Sequence, residues 1–311
     1  MRDILTLTRA VGDLAESYPN YEIDVRTPCP EIWENNPRLT PLREDDPEVE
    51  IFDITYDLIN ESGWRGLHFT DAFRYDLEKK LGVPIRKTGI RPELWISDQE
   101  KSWYNLPHCE WGWDGPFWCL NAGRKQDNEL KQYHRWQEVV DLFNKRFQGR
   151  VKLVQIGHSA HIHPKLKGVL NAVGKTENLR QLIRLIYWAH GTIGPISLQM
   201  VISQAFEQPA VVVAGGKEGP RWHRNNWIRF ITNVGTLPCA VADGCWLGGS
   251  VKGKCKNLVK TNKGEVPKCF EMIKPYQIVD AIWSYYEGGR LRLPTEEENR
   301  KFQESFKNFK K

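Results

Sequence analysis

The stretch LRQLIRLIYWAHGTIGPISLQMVISQAFEQPAVVVA, Leu179 to Ala214, decides how this chain folds. Leu179–Ala189 is strongly apolar and long enough for a helix, with Thr176 and Asn178 ahead of it as cap candidates. A short strand near Thr192 comes next, then a helix from Ser197 to Phe206, then the valine-rich strand Ala210–Ala214. Strands alternating with helices in this way imply a parallel sheet covered by helices on both faces.

Upstream the same alternation holds. Phe117–Asn121 reads as a buried strand leading into the loop Ala122–Lys131. Trp136–Phe147 is a helix with Val140, Phe143 and Phe147 inward, and Val151–Ile156 is the next strand. Before residue 113 the pattern loosens, and Cys109–Gly115 (CEWGWDG) reads as a domain junction. Residues 4–18 form a helix with Ile4, Leu7, Val11, Leu14 and Tyr18 on one face, ended by Pro19-Asn20. Tyr21–Val25 and Val49–Ile54 read as short strands. Between them four prolines from Thr27 to Pro41 surround a helical turn at Glu31–Asn35. Phe69–Leu81 is a helix closed by Gly82, and Ser97 opens another with Glu100 as its capping partner.

Downstream, Pro275–Glu287 is a helix with Pro at its start and Gly288-Gly289 after its end. From Thr295 a charged helix carries Phe302, Phe306 and Phe309 on one stripe, expected to dock on the body. The expected organisation is an N-terminal domain over 1–112, a C-terminal domain over 113–274 and helices over 275–311 packing back on both.

Composition narrows the class. A chain of 311 residues, 40% hydrophobic and 27% charged, is globular rather than disordered or fibrous. No apolar run reaches the ~20 residues of a membrane helix, and no secretory signal stands at the start, so a cytoplasmic location is expected. A net charge of +5 suits an anionic ligand such as a nucleotide diphosphate. It also permits peripheral contact with an acidic membrane or with nucleic acid. Thirteen tryptophans supply flat faces of the kind that stack on sugars and bases, although most should be core. Of seven cysteines, four crowd one segment, spaced Cys239-x5-Cys245-x9-Cys255-x13-Cys269. Crowded thiols in a cytoplasmic chain point to metal rather than disulfides. Zinc in a closed tetrahedral site is the simplest choice and iron the second; reduced thiols packed under a loop are the plainer alternative.

Four segments then resemble a known family. Thr27–Leu42 (TPCPEIWENNPRLTPL), Asn121–Lys131 (NAGRKQDNELK), Gly168–Leu185 (GVLNAVGKTENLRQLIRL) and Leu237–Met272 are similar to glycosyltransferase family 9. This is the ADP-heptose–lipopolysaccharide heptosyltransferase-like family. The Gly-Cys-Trp and Pro-Lys-Cys elements of the cysteine-rich insert 237–272 look like one branch of it. The resemblance implies an α/β chain of GT-B type: two Rossmann-like domains facing across a cleft, here with the first N-terminal strand missing. It also implies an inverting transfer of a heptose-like sugar, without catalytic metal, from a nucleotide-diphosphate donor to a glycan or lipopolysaccharide hydroxyl. A related transferase acting on nucleic acid or protein, and an inactive nucleotide-sugar binder, are the alternatives.

The family's base is an Asp that follows a Gly after the first strand. Gly12-Asp13 has that dipeptide, but taking Ile4–Leu7 as the strand leaves too little chain before Tyr21 for a crossover helix. The helical reading puts Asp3 at the family's position, at a helix N-terminus, with Arg2 in place of Gly; a helix cap is its alternative role. Lys131 matches the family's lysine on the donor phosphates, and Arg124 and Lys125 share its loop. Ser197 survives from the donor-diphosphate turn, where a helix N-terminus offers free N–H groups to an anion, while the acid, Gly and His that usually accompany it are replaced. His158, His161 and the neighbouring His163 follow a strand end and could reach base or ribose. Lys217, in the strand-end loop Gly215–Pro220, is a further phosphate candidate.

Overall fold

A computed structural model describes residues 1–59, 66–125, 133–241, 243–245 and 255–309. In chain order the helices are α1 (Arg2–Ser17), α2 (Phe69–Leu81), α3 (Asp98–Ser102), α4 (Leu106–Trp111), α5 (Trp136–Phe147), α6 (Leu179–Trp188), α7 (Leu198–Ala205), α8 (Lys268–Glu271), α9 (Pro275–Glu287) and α10 (Glu296–Phe309). The strands are β1 (Phe117–Leu120), β2 (Lys152–Gln155), β3 (Leu170–Asn171), β4 (Gly191–Gly194), β5 (Ala210–Gly215) and β6 (Ile228–Thr232). A hairpin of β7 (Leu258–Thr261) and β8 (Gly264–Pro267) stands apart.

The six strands form one sheet in the order β3-β2-β1-β4-β5-β6, parallel at every pairing. β1, β4 and β5 are buried along their whole length, as central parallel strands must be. α1, α2, α6 and α7 share a core with one face of the sheet, and α5 and α9 share the other. Each buried valine or isoleucine contributes roughly 1.5–3 kcal/mol to holding these layers together. The expected α/β class is what forms.

The N-terminal region departs from the strands expected of it. Tyr21–Val25 and Val49–Ile54 are extended coil, and among the described residues before 113 there is no strand. The alternating pattern lacks a neighbour to complete a ladder. Thr40 donates its N–H to the Ile23 carbonyl (2.9 Å), but the Asp24 carboxylate takes the N–H groups of Val25 and Leu42. Ile51 is 67% exposed, so the second segment has no layer to bury it.

α1 is buried from Leu5 to Leu14, between α2 and α7. Its buried polar residues are paired: Arg9 meets Asp13 (2.9 Å) and Glu93 (2.9 Å), and Arg38 bridges Glu93 (2.9 Å) and Glu16 (2.6 Å). Asp13 also accepts from the Thr88 hydroxyl (2.6 Å) and N–H (3.2 Å). The expected caps form at α3, where Ser97 and Glu100 complete a capping box, and at α6, where Asn178 rather than Thr176 accepts from Gln181. Gly82 closes α2 in the left-handed conformation. The tail docks as its phenylalanine stripe implies: Phe302 and Phe306 lie against Trp113.

Candidate functional site at the carboxyl edge of the sheet

In a doubly wound sheet, ligands bind outside the carboxyl ends of the strands, where the strand order reverses. Here the reversal lies between β1 and β4. Asn121, directly after β1, donates its N–H to the Ile193 carbonyl (2.8 Å) and its side-chain amide to Gln199 on α7 (3.0 Å). Gly194 ends β4 with its backbone against Asn121; a Cβ there would lie 2.8 Å from the Asn121 carbonyl. Ser197 follows as the residue before α7 in extended conformation, and its side chain makes no capping bond. The first turn of α7 thus begins at the switch point with no side-chain cap from Ser197.

The neighbouring strand ends carry most of the other sequence candidates. Arg124 exchanges two 2.9 Å backbone bonds with Ile162, which joins the loop after β1 to the histidine loop after β2. The rings of His158 and His161 lie 5.6 Å apart, and those of His161 and His163 lie 6.3 Å apart. His163 wedges between Gly123 and Gly157, where a Cβ would strike its ring at 2.3 and 2.0 Å. Its Nε2 bonds the His158 carbonyl (2.9 Å). Lys125 lies on the same loop as Arg124 and is exposed, and Lys131 falls outside the described residues.

Lys217 and Glu218 follow β5, and Glu218 is 2% exposed. Arg2, at the start of α1, reaches this loop: its Nη1 lies 3.3 Å from Glu218 Oε2, and its Nε donates to Asp3 at 2.7 Å. Burial opposes the Arg2 charge, but Glu218 and then Asp3 outweigh it and keep the guanidinium protonated. His223, equally buried, lies 3.6 Å from the same Glu218 oxygen. His68 sits beside this cluster. Burial and then His223 push its pKa down to about 4, so it stands neutral, bonded to the Arg224 carbonyl and the Thr70 N–H. Among the described residues Asp3 thus reaches this loop only through Arg2, whereas Asp13 is spent in its ion cluster more than two turns along α1.

Sequence reasoning did not single out Asn121, Glu218 or His223. A polar residue directly after the buried strand FWCL, and an acid two residues past Gly215-Gly216, were the available signals. Nothing local marks His223.

The cysteine segment hangs on the same edge. Cys245 donates its N–H to the Gly216 carbonyl (2.9 Å), and Asn233 bonds the Cys269 carbonyl (2.5 Å). The four cysteines are half-buried. Burial pushes the Cys269 thiol up to about 11, against a backbone hydrogen bond from Gly216 and with smaller contributions from Cys245, Cys255 and Cys239. Among the described residues no three His, Cys, Asp or Glu side chains are assembled closely enough to hold a metal ion.

No family model matches the chain, and no curated protein does. Solved structures do. The E. coli ADP-heptose lipopolysaccharide heptosyltransferase II superposes with a TM-score of 0.57 at 14% identity, over 93% of this chain and 97% of that one. A glycosyl transferase family 9 protein from Veillonella parvula superposes with a TM-score of 0.50 at 16% identity, over 71% of this chain and 60% of that one. The dodecameric iron-containing glycosyltransferase TibC of enterotoxigenic E. coli aligns at 18% identity with a TM-score of 0.49, over 72% of this chain and 54% of that one. The chain shares the α/β GT-B fold of these heptosyltransferases, with its one six-stranded parallel sheet in the C-terminal region and, among the described residues, no second Rossmann-like sheet in the N-terminal region.

Proposed function

We propose that this chain is an inverting glycosyltransferase that moves a heptose-like sugar from a nucleotide diphosphate to a hydroxyl of a glycan or lipopolysaccharide acceptor. The observation that carries the reading is the reach of Arg2, which binds Asp3, to Glu218 at the carboxyl edge of the sheet, where α7 also begins after Gly194. The shared fold supports it, and so does the E. coli relative, a heptosyltransferase whose name carries ADP-heptose.

In this reading the diphosphate lies on the first N–H groups of α7 after Ser197. Lys131, Arg124, Lys125 and Lys217 balance its charge as it leaves, and His158 and His161 face the base or ribose. Asp3 takes the acceptor proton as the hydroxyl oxygen attacks the anomeric carbon and the bond to the diphosphate breaks. Arg2 holds the Asp3 carboxylate in place.

Cys239, Cys245, Cys255 and Cys269 would hold one structural zinc or iron, a cross-link ordering a segment that has little apolar core of its own. The crowding of four cysteines into one segment supports this reading. The test of the main reading is binding: a nucleoside diphosphate should raise the melting temperature. A chain that is stabilised by no nucleoside diphosphate is not this enzyme.

A further inference from the structure

At the opposite, amino edge of the sheet lies a cavity of about 320 Å³, lined by Asn105, Asp114, Trp188, His190, Arg292 and Glu298 among others. It borders the residues that lead into β1 and β4 and the start of α10. Nothing in the donor reading uses it.

Its charged side chains are hydrogen-bonded. Arg292 gives both terminal nitrogens to the two Glu298 oxygens (2.8 and 2.9 Å), and Asp114 pairs with His108 Nδ1 (2.5 Å). His190 spends Nδ1 on the Tyr286 hydroxyl (3.1 Å), and burial pushes its pKa down to about 4, which leaves a neutral ring. A phosphate would find no uncompensated cation here, and an acyl chain would have to desolvate these polar groups.

Trp188, in the lining, is 42% exposed, and Trp103 and Tyr104, just before Asn105 in the chain, are 49% and 73% exposed. Tyr104 stacks on His108 at 4.2 Å with 12° between the planes, which braces its ring beside Asp114. Arg184, one turn before Trp188 on α6, lies 4.6 Å over the Trp103 ring and donates to the Tyr104 carbonyl (3.1 Å). A partly exposed lining tryptophan beside neutral and paired polar groups matches a ligand with an apolar face and a belt of hydroxyls, which is the chemistry of a saccharide.

We propose that this cavity and its rim form a second carbohydrate site for a neutral saccharide, separate from the donor cleft. The site stands whether or not the chain transfers sugar. The full chain, saturated with a nucleoside diphosphate, is titrated with glucose, galactose, mannose, their disaccharides and a heptose-containing core oligosaccharide. Tryptophan fluorescence and saturation-transfer NMR report binding. At least one saccharide should bind in the millimolar range. Trp188→Ala should weaken it ~10-fold or more, Trp188→Phe should restore much of it, and neither should alter stabilisation by the diphosphate. Tyr104→Ala, at a more exposed position, gives the same readout if Trp188→Ala misfolds. Absence of saccharide binding, binding unchanged in the alanine variants, or displacement of the saccharide by the diphosphate would each overturn the proposal.

Discussion

Arg2 Nη1 lies 3.3 Å from Glu218 Oε2 across 216 residues of sequence, and this ion pair ties the start of α1 to the loop after β5. It joins the region expected to hold the acceptor to the sheet expected to hold the donor. Arg2 lies 5.4 Å over the Phe69 ring, so its charge is confined between an aromatic face and two carboxylates. Glu218→Gln should leave the fold standing but loosen Arg2 and Asp3. Transfer should drop ~10-fold or more, with little change in donor affinity. An equal loss of donor binding, measured by calorimetry, would place Glu218 on the donor instead.

Arg180 anchors the other end of the N-terminal region. Its guanidinium closes on Glu100 with two bonds of 2.8 and 2.7 Å and also donates to the carbonyls of Glu31 and Trp95. Removing one partner of such a buried pair costs about 3–5 kcal/mol. Arg180→Ala should therefore lower the denaturation midpoint sharply, in a single transition. Opposed by burial, the Arg180 and Ser97 bonds hold the Glu100 carboxyl down at about 2. A carboxylate depressed in the folded state stabilises above its unfolded pKa, and that contribution is lost as pH falls from the ordinary carboxylate range toward 2. Urea melts between pH 5 and 2 should show this loss in the wild type and not in Arg180→Ala.

Much of this fold is legible in the sequence, and the rest fails for identifiable reasons. β1, β2, β4 and β5 announce themselves because their faces are buried almost throughout, and the helices between them carry apolar stripes. Ser97 and Glu100 can be read because a cap needs only four residues. Strands at Tyr21–Val25 and Val49–Ile54 cannot be judged locally, since a ladder needs a neighbour and none is supplied there. The edge strands β3 and β6 and the hairpin β7–β8 went unread because short, half-buried or lysine-bearing strands look like loops. Partners 80 or more residues apart, such as Arg180 with Glu100 and Arg2 with Glu218, leave no local trace. The strand-end candidates were chosen because open sheets bind ligands at such ends.

His68 gives the chain a second acid response. A histidine held neutral at about 4 in the folded state, against about 6.5 unfolded, favours folding fully above pH 6.5. That contribution declines as pH falls toward 4, because the unfolded chain takes up the proton first. His190 follows the same rule. In His68→Asn, whose amide can still cap α2, the fall in melting temperature from pH 6.5 to 4 should be smaller. An unchanged slope would show that His68 is protonated in the folded protein.

The cysteine segment should yield to metal removal. Elemental analysis of protein purified without affinity metal should find about one zinc or iron per chain. Cys245→Ser or Cys269→Ser should release it and lower the melting temperature, since ordering of the segment is coupled to the metal. Metal-free protein of full stability would exclude the site.

The donor phosphates should lean on Lys131. Lys131→Ala should reduce stabilisation by a nucleoside diphosphate, losing about 1–3 kcal/mol of binding for a charge-assisted contact. A variant that binds as tightly as wild type would move the diphosphate elsewhere on the carboxyl edge.

The most direct measurement is release of nucleoside diphosphate from a panel of nucleotide-diphosphate sugars with a lipopolysaccharide-core acceptor, in the wild type, Asp3→Asn and Asp13→Asn. A positioned carboxylate base contributes ~10²–10⁴-fold. Asp3→Asn should therefore abolish transfer while keeping donor binding. Asp13→Asn should retain transfer at a cost in stability, because Asp13 serves Arg9 and Thr88. Turnover of no donor by the wild type, or full transfer by Asp3→Asn, would contradict the assignment of a transferase whose base is Asp3.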